Sequence, residues 1–132
     1  MVAKLVVAAL IVRGDEILIC RRSADGPMPL KWEFPGGKVE PNESPAAALA
    51  RELQEELAIG AEVGEQVARV LYEYKDGFYV ELLFFRVDRY EGELRNLVFA
   101  DVRWERLENL GGYDFLEADL ELIRDLAVGK VL

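Results

Sequence analysis

Glu52, Glu55 and Glu56 stand at i, i+3 and i+4, a spacing that places three carboxylates on about one turn of a single helix face. Carboxylates that close repel each other unless a cation lies among them. An all-oxygen donor set suits a hard divalent ion such as Mg²⁺, which is often shared with substrate phosphates. The plain alternative is a solvated face, since glutamate is a good helix former and Arg51 with Glu55 is an ordinary i,i+4 ion pair. The flanking residues favour a site. Phe34-Pro35-Gly36-Gly37-Lys38 reads as a tight turn whose glycines let backbone groups approach a ligand. A helix from Glu43 to Leu57 is expected next, with a Glu or Ser cap and Pro45 in its first turn. Its predicted buried stripe is Ala46, Ala50, Leu53 and Leu57.

The segment Gly37–Ile59 resembles the signature of the Nudix hydrolase family. Gly37, Glu43, Arg51, Glu52, Leu53, Glu55, Glu56 and Ile59 all fall on that pattern, which is far more specific than a lone glycine motif. Ala58 departs from it, standing where the family has the glycine that suits a left-handed helix end. Gly60 is expected to take over that turn. The resemblance implies an α/β/α fold, a mixed β-sheet between α-helices. It also implies hydrolysis of a nucleoside diphosphate linked to another group, with Mg²⁺ (or Mn²⁺) as cofactor. Glu52, Glu55, Glu56 and the Gly37 carbonyl are the implied metal ligands. Glu52, Glu55, Glu56 and Arg51 form the implied catalytic set, with Glu52 as the base and Arg51 holding Glu43.

Within the family the sequence looks most like the MutT group and the cytidine triphosphate pyrophosphohydrolases. Arg21-Arg22, Lys31 to Lys38 and Tyr90-Glu91-Gly92-Glu93 carry that likeness. It implies that Arg22 and Lys38 contact phosphates, that Phe78 with Tyr79 forms a stacking wall, and that Asp119 reads the base. Each has a plainer reading: a solvated strand edge for the arginines, core for the aromatics, and a dipole-favoured helix-start acid for Asp119. Many MutT-like enzymes carry a loop glutamate where this chain has Val98, within Asn96–Asp101. Either Asp101 substitutes for it or one metal site is weaker, and the apolar loop is left as a lid or a dimer contact. ADP-ribose hydrolases usually carry a proline beyond this signature, but none follows Pro45. Dinucleoside polyphosphate hydrolases carry a tyrosine in the region of Tyr72, Tyr74 and Tyr79. A non-catalytic nucleotide-binding domain is a further alternative, although such domains typically lose the signature glutamates.

Composition sets bounds. With 132 residues, one domain over 1–132 is expected, long enough for a real core. The absence of histidine leaves a carboxylate or water as general base, and with one cysteine it excludes a His- or Cys-ligated zinc site. A net charge of −9 argues against nucleic-acid polymers as partners. No apolar run approaches the roughly 18 residues of a membrane span, and no signal peptide is expected, so the protein reads as cytoplasmic, monomer or homodimer. Cys20 reads as a buried strand residue. Predicted strands run over Leu5–Val12, Ile17–Arg22, Glu62–Tyr74, Phe78–Tyr90 and Val102–Glu105, with a terminal helix over Leu116–Val128.

Overall fold

The computed structural model describes residues 4–132. Strand β1 (Lys4–Arg13) is apolar on both faces because both faces are covered: Val7, Ala9 and Ile11 are buried on one side, Ala8 and Leu10 on the other. Gly14, in the left-handed region at φ 62°, turns the chain into β2 (Glu16–Arg21). Short strands β3 (Trp32–Glu33) and β4 (Gly36–Lys38) follow, then helix α1 (Pro45–Leu57). Beyond it come β5 (Gly60–Glu62), β6 (Gln66–Glu73), β7 (Tyr79–Val87), β8 (Arg89–Glu91) and β9 (Asp101–Arg106). Two 3₁₀ turns, Leu107–Gly112 and Glu117–Asp119, lead to the terminal helix α2 (Leu120–Ala127).

β1 and β7 run parallel, and every other pairing in the sheet is antiparallel. One edge of β1 lies on β7. The other is divided: Val12 and Arg13 pair with β2, whereas Val6, Val7 and Ala8 pair with β4. β2 is divided in the same way, pairing with β1 at Glu16 and Ile17 and with β3 at Cys20 and Arg21. The two strands therefore part beyond their hairpin, and residues 32–38 fill the gap. This wedge carries the glycines of the signature into the middle of the fold.

Helix α1 covers one face through Ala48, Leu49, Leu53 and Leu57, and α2 covers the other through Leu122, Ile123 and Leu126. The expected sandwich of helix, mixed sheet and helix is present. The expected stripe on α1 needs correction, because Ala46 is exposed and Ala50 only half-buried. Burying Leu49 removes more apolar surface than burying two alanines, so it decides the helix's rotation. That rotation turns Glu52 and Glu56 toward the sheet.

The long predicted strands are also interrupted. Residues 63–65 and 88 break them, and β5 pairs with β8 in a separate two-stranded sheet. The terminal helix begins at Leu120, four residues later than expected.

Ala58 ends α1 in the left-handed region (φ 59°, ψ 30°), its N–H donating to Gln54 O. Gly60 lies in β5 and takes no part in the turn. An alanine Cβ held there costs about 1–2 kcal/mol. Ala58→Gly is therefore expected to stabilise the protein by about 1 kcal/mol, raising Tm by roughly 3 °C in thermal unfolding. An unchanged or lower Tm would show that the left-handed turn carries no strain.

Candidate functional site

Gly36 and Gly37 form a strand instead of the expected tight turn, and close packing explains both residues. A Cβ on Gly36 would run into Val7 O. A Cβ on Gly37 would stand 2.5 Å from Glu52 Cδ. The bare backbone at Gly37 is thus the surface on which the Glu52 carboxylate rests.

The entry to α1 is held by one side-chain cap and, just ahead of it, one turn bond. Ser44 Oγ accepts from Ala47 N–H, and Glu43 Oε1 accepts from Glu40 N–H. Arg51 ties this entry to the acidic face. Its Nε donates to Glu43 Oε2 at 2.8 Å, and Nη2 donates to Glu43 Oε1 at 3.0 Å and Lys38 O at 3.1 Å. Its Nη1 donates to Glu52 Oε1 at 3.0 Å. The paired bonds to Glu43 make a planar fork of the kind arginine forms best. They hold the Glu43 carboxyl below its usual range and the guanidinium charged.

The three signature glutamates differ in setting. Glu55 is 59% exposed at its side chain. Burial raises Glu52 in spite of Arg51. Glu56 accepts from Gly36 N–H at 3.1 Å and is pushed up to about 8, by burial first and then by the charges of Glu52 and Glu33. Among the described residues no three such groups already converge as a finished coordination shell. The donor set nevertheless fits a hard divalent cation. Three carboxylate side chains share one turn beside a bare carbonyl strand, and the two inward ones lack enough positive charge to keep their usual acidity.

A cavity of about 950 Å³ runs from this cluster across the α2 face of the sheet. Gly36, Gly37, Lys38 and Glu56 line one part, and Tyr72, Tyr74 and Asp119 line another. Arg22 lines it as well and is no solvated edge, since its Nε donates to Pro27 O at 2.9 Å and its Nη1 to Glu33 Oε1 at 2.8 Å. Lys38 is exposed at the rim beside Lys4, whose ammonium it pushes down in pKa. Phe78 lines the cavity from the β6–β7 turn with 55% of its surface exposed. Tyr79 does not line it. Tyr72 and Tyr74 do, with rings edge to face at 4.9 Å. Their alternation in the sequence was the available signal: residues two apart on a strand share a face.

Asp119 is 3% exposed and is the one buried charged residue among those described. Burial, with Glu33 as a second cause, pushes its carboxyl up to about 7. It makes no capping hydrogen bond to α2, so the helix-start reading does not explain it. Asp101 is engaged elsewhere, accepting from Val102 N–H and from Arg103 Nε at 2.9 Å, and is not among the cavity-lining residues. The loop around Val98 is fastened to the end of α1, Arg95 N–H donating to Leu57 O and Leu97 N–H to Glu56 O. Cys20 is fully buried, and burial pushes its thiol well up, as befits an inert core residue.

A NUDIX domain model matches residues 3–126. The chain belongs to the Nudix hydrolase family. It is 39% identical over 125 residues to the 8-oxo-dGTP diphosphatase of Escherichia coli K12, spanning 93% of this chain and 96% of that protein. It is 41% identical over 118 residues to the CTP pyrophosphohydrolase of the same organism, spanning 89% of this chain and 87% of that protein. The solution structure of the E. coli ORF135 protein superposes with a TM-score of 0.84 at 40% identity, covering 94% of this chain and 88% of that one. Two relatives named for different bases are almost equally similar to this Nudix hydrolase, so identity alone does not choose its base. The site has to be read for that.

Proposed function

We propose that the chain is a Mg²⁺-dependent nucleoside triphosphate pyrophosphohydrolase that yields a nucleoside monophosphate and pyrophosphate. Removal of an oxidised or otherwise unwanted nucleotide from the cytoplasmic pool is the role this suits, with 8-oxo-dGTP or a modified cytidine triphosphate as substrate. The observation that carries the reading is a single cavity lined both by Glu56 of the acidic turn and by the buried, uncapped Asp119. Its volume is in the range of small-molecule sites.

A divalent cation held by Glu52, Glu55, Glu56 and the Gly37 carbonyl would supply the positive charge that offsets the phosphates and acidifies an attacking water. The chain's own residues do the rest. Glu52, fixed between Gly37 and Arg51, takes the proton as water attacks phosphorus and the phosphoanhydride bond breaks, pyrophosphate and the nucleoside monophosphate parting. Arg51 keeps Glu43 and Glu52 in place. Arg22 and Lys38 face the phosphates, and Tyr72, Tyr74 and Phe78 supply aromatic surface to the base. Asp119, when uncharged, both donates and accepts a hydrogen bond, which suits a base edge with one acceptor beside one donor. The net charge of −9 leaves small nucleotides, and no nucleic-acid polymer, as substrates for a single domain working as monomer or homodimer.

The test is product analysis with Mg²⁺ on 8-oxo-dGTP, dGTP, dCTP, 5-methyl-dCTP, ADP-ribose and a dinucleoside polyphosphate, with Glu55→Gln as the blank. Monophosphate plus pyrophosphate from one triphosphate, lost in the blank, is the expected result. Turnover confined to ADP-ribose or the dinucleotide would move the chain to another Nudix branch. Nucleotide binding without turnover would make it a binding domain.

A further inference from the structure

The main sheet has two outer edges, and they are defended unequally. β9 forms one of them and carries charge at Asp101, Arg103, Glu105 and Arg106. Charged side chains are a common means of keeping other strands off an edge. β6 forms the other edge. Beyond its irregularity between Gln66 and Ala68 it reads Arg69-Val70-Leu71-Tyr72-Glu73, without lysine, proline or glycine. Leu71, at the centre of that run, keeps 55% of its surface exposed.

The backbone of this run has an outward half. Tyr74 N–H donates to Phe78 O across the β6–β7 turn. In an antiparallel pair, alternate residues turn their N–H and C=O toward the same neighbour. Val70 and Tyr72 therefore bond to β7, whereas Arg69, Leu71 and Glu73 turn their backbone groups away from the sheet. Among the described residues no hydrogen bond takes up those outward groups. The side chains of the same three residues share one face, where Arg69 Nε also donates to Glu81. Val70 and Tyr72 lie on the other face, half-buried.

This pattern is complementary to itself. Two copies of β6 can run antiparallel about a two-fold axis perpendicular to the sheet, so that outward residues meet outward residues. With the axis at Leu71, each Leu71 exchanges both backbone hydrogen bonds with its counterpart. Arg69 then stands opposite the partner's Glu73 on either side of the axis, and Val70 opposite the partner's Tyr72. Centring on Val70 instead would set Arg69 against the partner's Leu71. Opposite charges facing each other across neighbouring strands favour the first register. We propose that β6 is the surface through which two copies of this chain associate, their sheets joined edge to edge with Leu71 on the axis and an Arg69–Glu73 pair on each side. A contact of this kind uses the same patch on both copies, so it closes at two.

The test is the mass in solution, followed by sedimentation velocity over a range of protein concentration. A single pair of strands is at the small end of specific interfaces, so the wild type should move from one chain toward two as concentration rises. Arg69→Glu alone, or Glu73→Arg alone, sets like charges opposite each other and should weaken association about tenfold or more. Mixed together, the two variants bring opposite charges together on both sides of the axis and should associate with each other as the wild type does. Leu71→Lys, at a side chain already exposed, places two like charges on the axis and should also leave single chains. It decides the matter if thermal unfolding shows either charge variant to be poorly folded. A wild type that stays single at every concentration, or a dimer that survives Leu71→Lys, would overturn the proposal. So would two well-folded charge variants that fail to associate when mixed. The readout involves no hydrolysis, so it stands or falls apart from the nucleotide reading above.

Discussion

Glu56→Gln is expected to lower kcat/KM by roughly 10³ or more without lowering Tm in metal-free buffer. The change is nearly isosteric, and the amide oxygen can still accept from Gly36 N–H, so β4 keeps its tie to α1. What is removed is a charge at the signature carboxylate that burial, with Glu52 and Glu33 beside it, pushes up to about 8. In the absence of metal that charge is a burden on the fold, and its loss relieves repulsion. On the function proposed above, the same charge holds a cation against the phosphates in the working enzyme. Stabilisation of this type is worth several kcal/mol in the transition state, and each 1.4 kcal/mol is a factor of ten. Steady-state kinetics and thermal unfolding in chelator together check the prediction. Activity within tenfold of wild type would remove Glu56 from the metal set. A large fall in Tm would show that its role is to hold the fold.

The contrast between what was legible in the sequence and what was not follows from how local each signal is. Arg51, Glu52, Glu55 and Glu56 lie on one helix, so their spacing alone places them together. The structure keeps them so, with Arg51 reaching Glu43 as expected. The rotation of α1 was not legible in the same way. The expected stripe ran through Ala46 and Ala50 to Leu53 and Leu57, and only packing against Val7, Ala9 and Ile11 selects Leu49 over Ala46. Gly36-Gly37 reads as a turn by composition because nothing local shows that β1 and β2 part to admit it. Its glycines answer to Val7 and Glu52, far away in sequence. The setting of Glu33 is equally non-local: it sits between Trp32 and Phe34, and the fold brings it to Arg22, which it accepts from, and to Asp119, which it raises. Asp119 was found only through family likeness, because an acid near a helix start is ordinary in sequence. The missing cap bond and the burial make it unusual.

Asp119→Asn is expected to become progressively more stable than wild type as pH rises, and to remove a pH dependence from catalysis. The sign follows from burial. In the unfolded chain Asp119 ionises near its usual 3.8, whereas in the fold it is pushed up to about 7. A group raised in this way gives its full stability below the unfolded value, and loses it as pH climbs through the folded one. About three units at 1.36 kcal/mol each make the total loss up to about 4 kcal/mol by pH 8. Asparagine does not titrate there, so its stability relative to wild type should improve by roughly 2–3 kcal/mol between pH 5 and pH 8.5. A buried amide with an unmatched N–H costs about 1–3 kcal/mol, but that offset is the same at both pH values and leaves the slope untouched.

The catalytic consequence has the same origin. Above pH 7 wild-type Asp119 becomes a carboxylate and loses its donor, so kcat/KM for a base edge that needs one should fall across that pH range. The amide keeps donor and acceptor throughout, so the variant's profile should stay flat there. Glu33 and Tyr74 are the titratable neighbours: Glu33 raises Asp119, and Asp119 in turn raises Tyr74. Repeating the profile in Glu33→Gln therefore separates the two acids: the fall should persist and shift to lower pH, because one of the charges that raise Asp119 is gone while its burial remains. Parallel stability curves for wild type and Asp119→Asn would mean that Asp119 is well solvated, and a solvated carboxylate gives no reason for this cavity to distinguish one base from another.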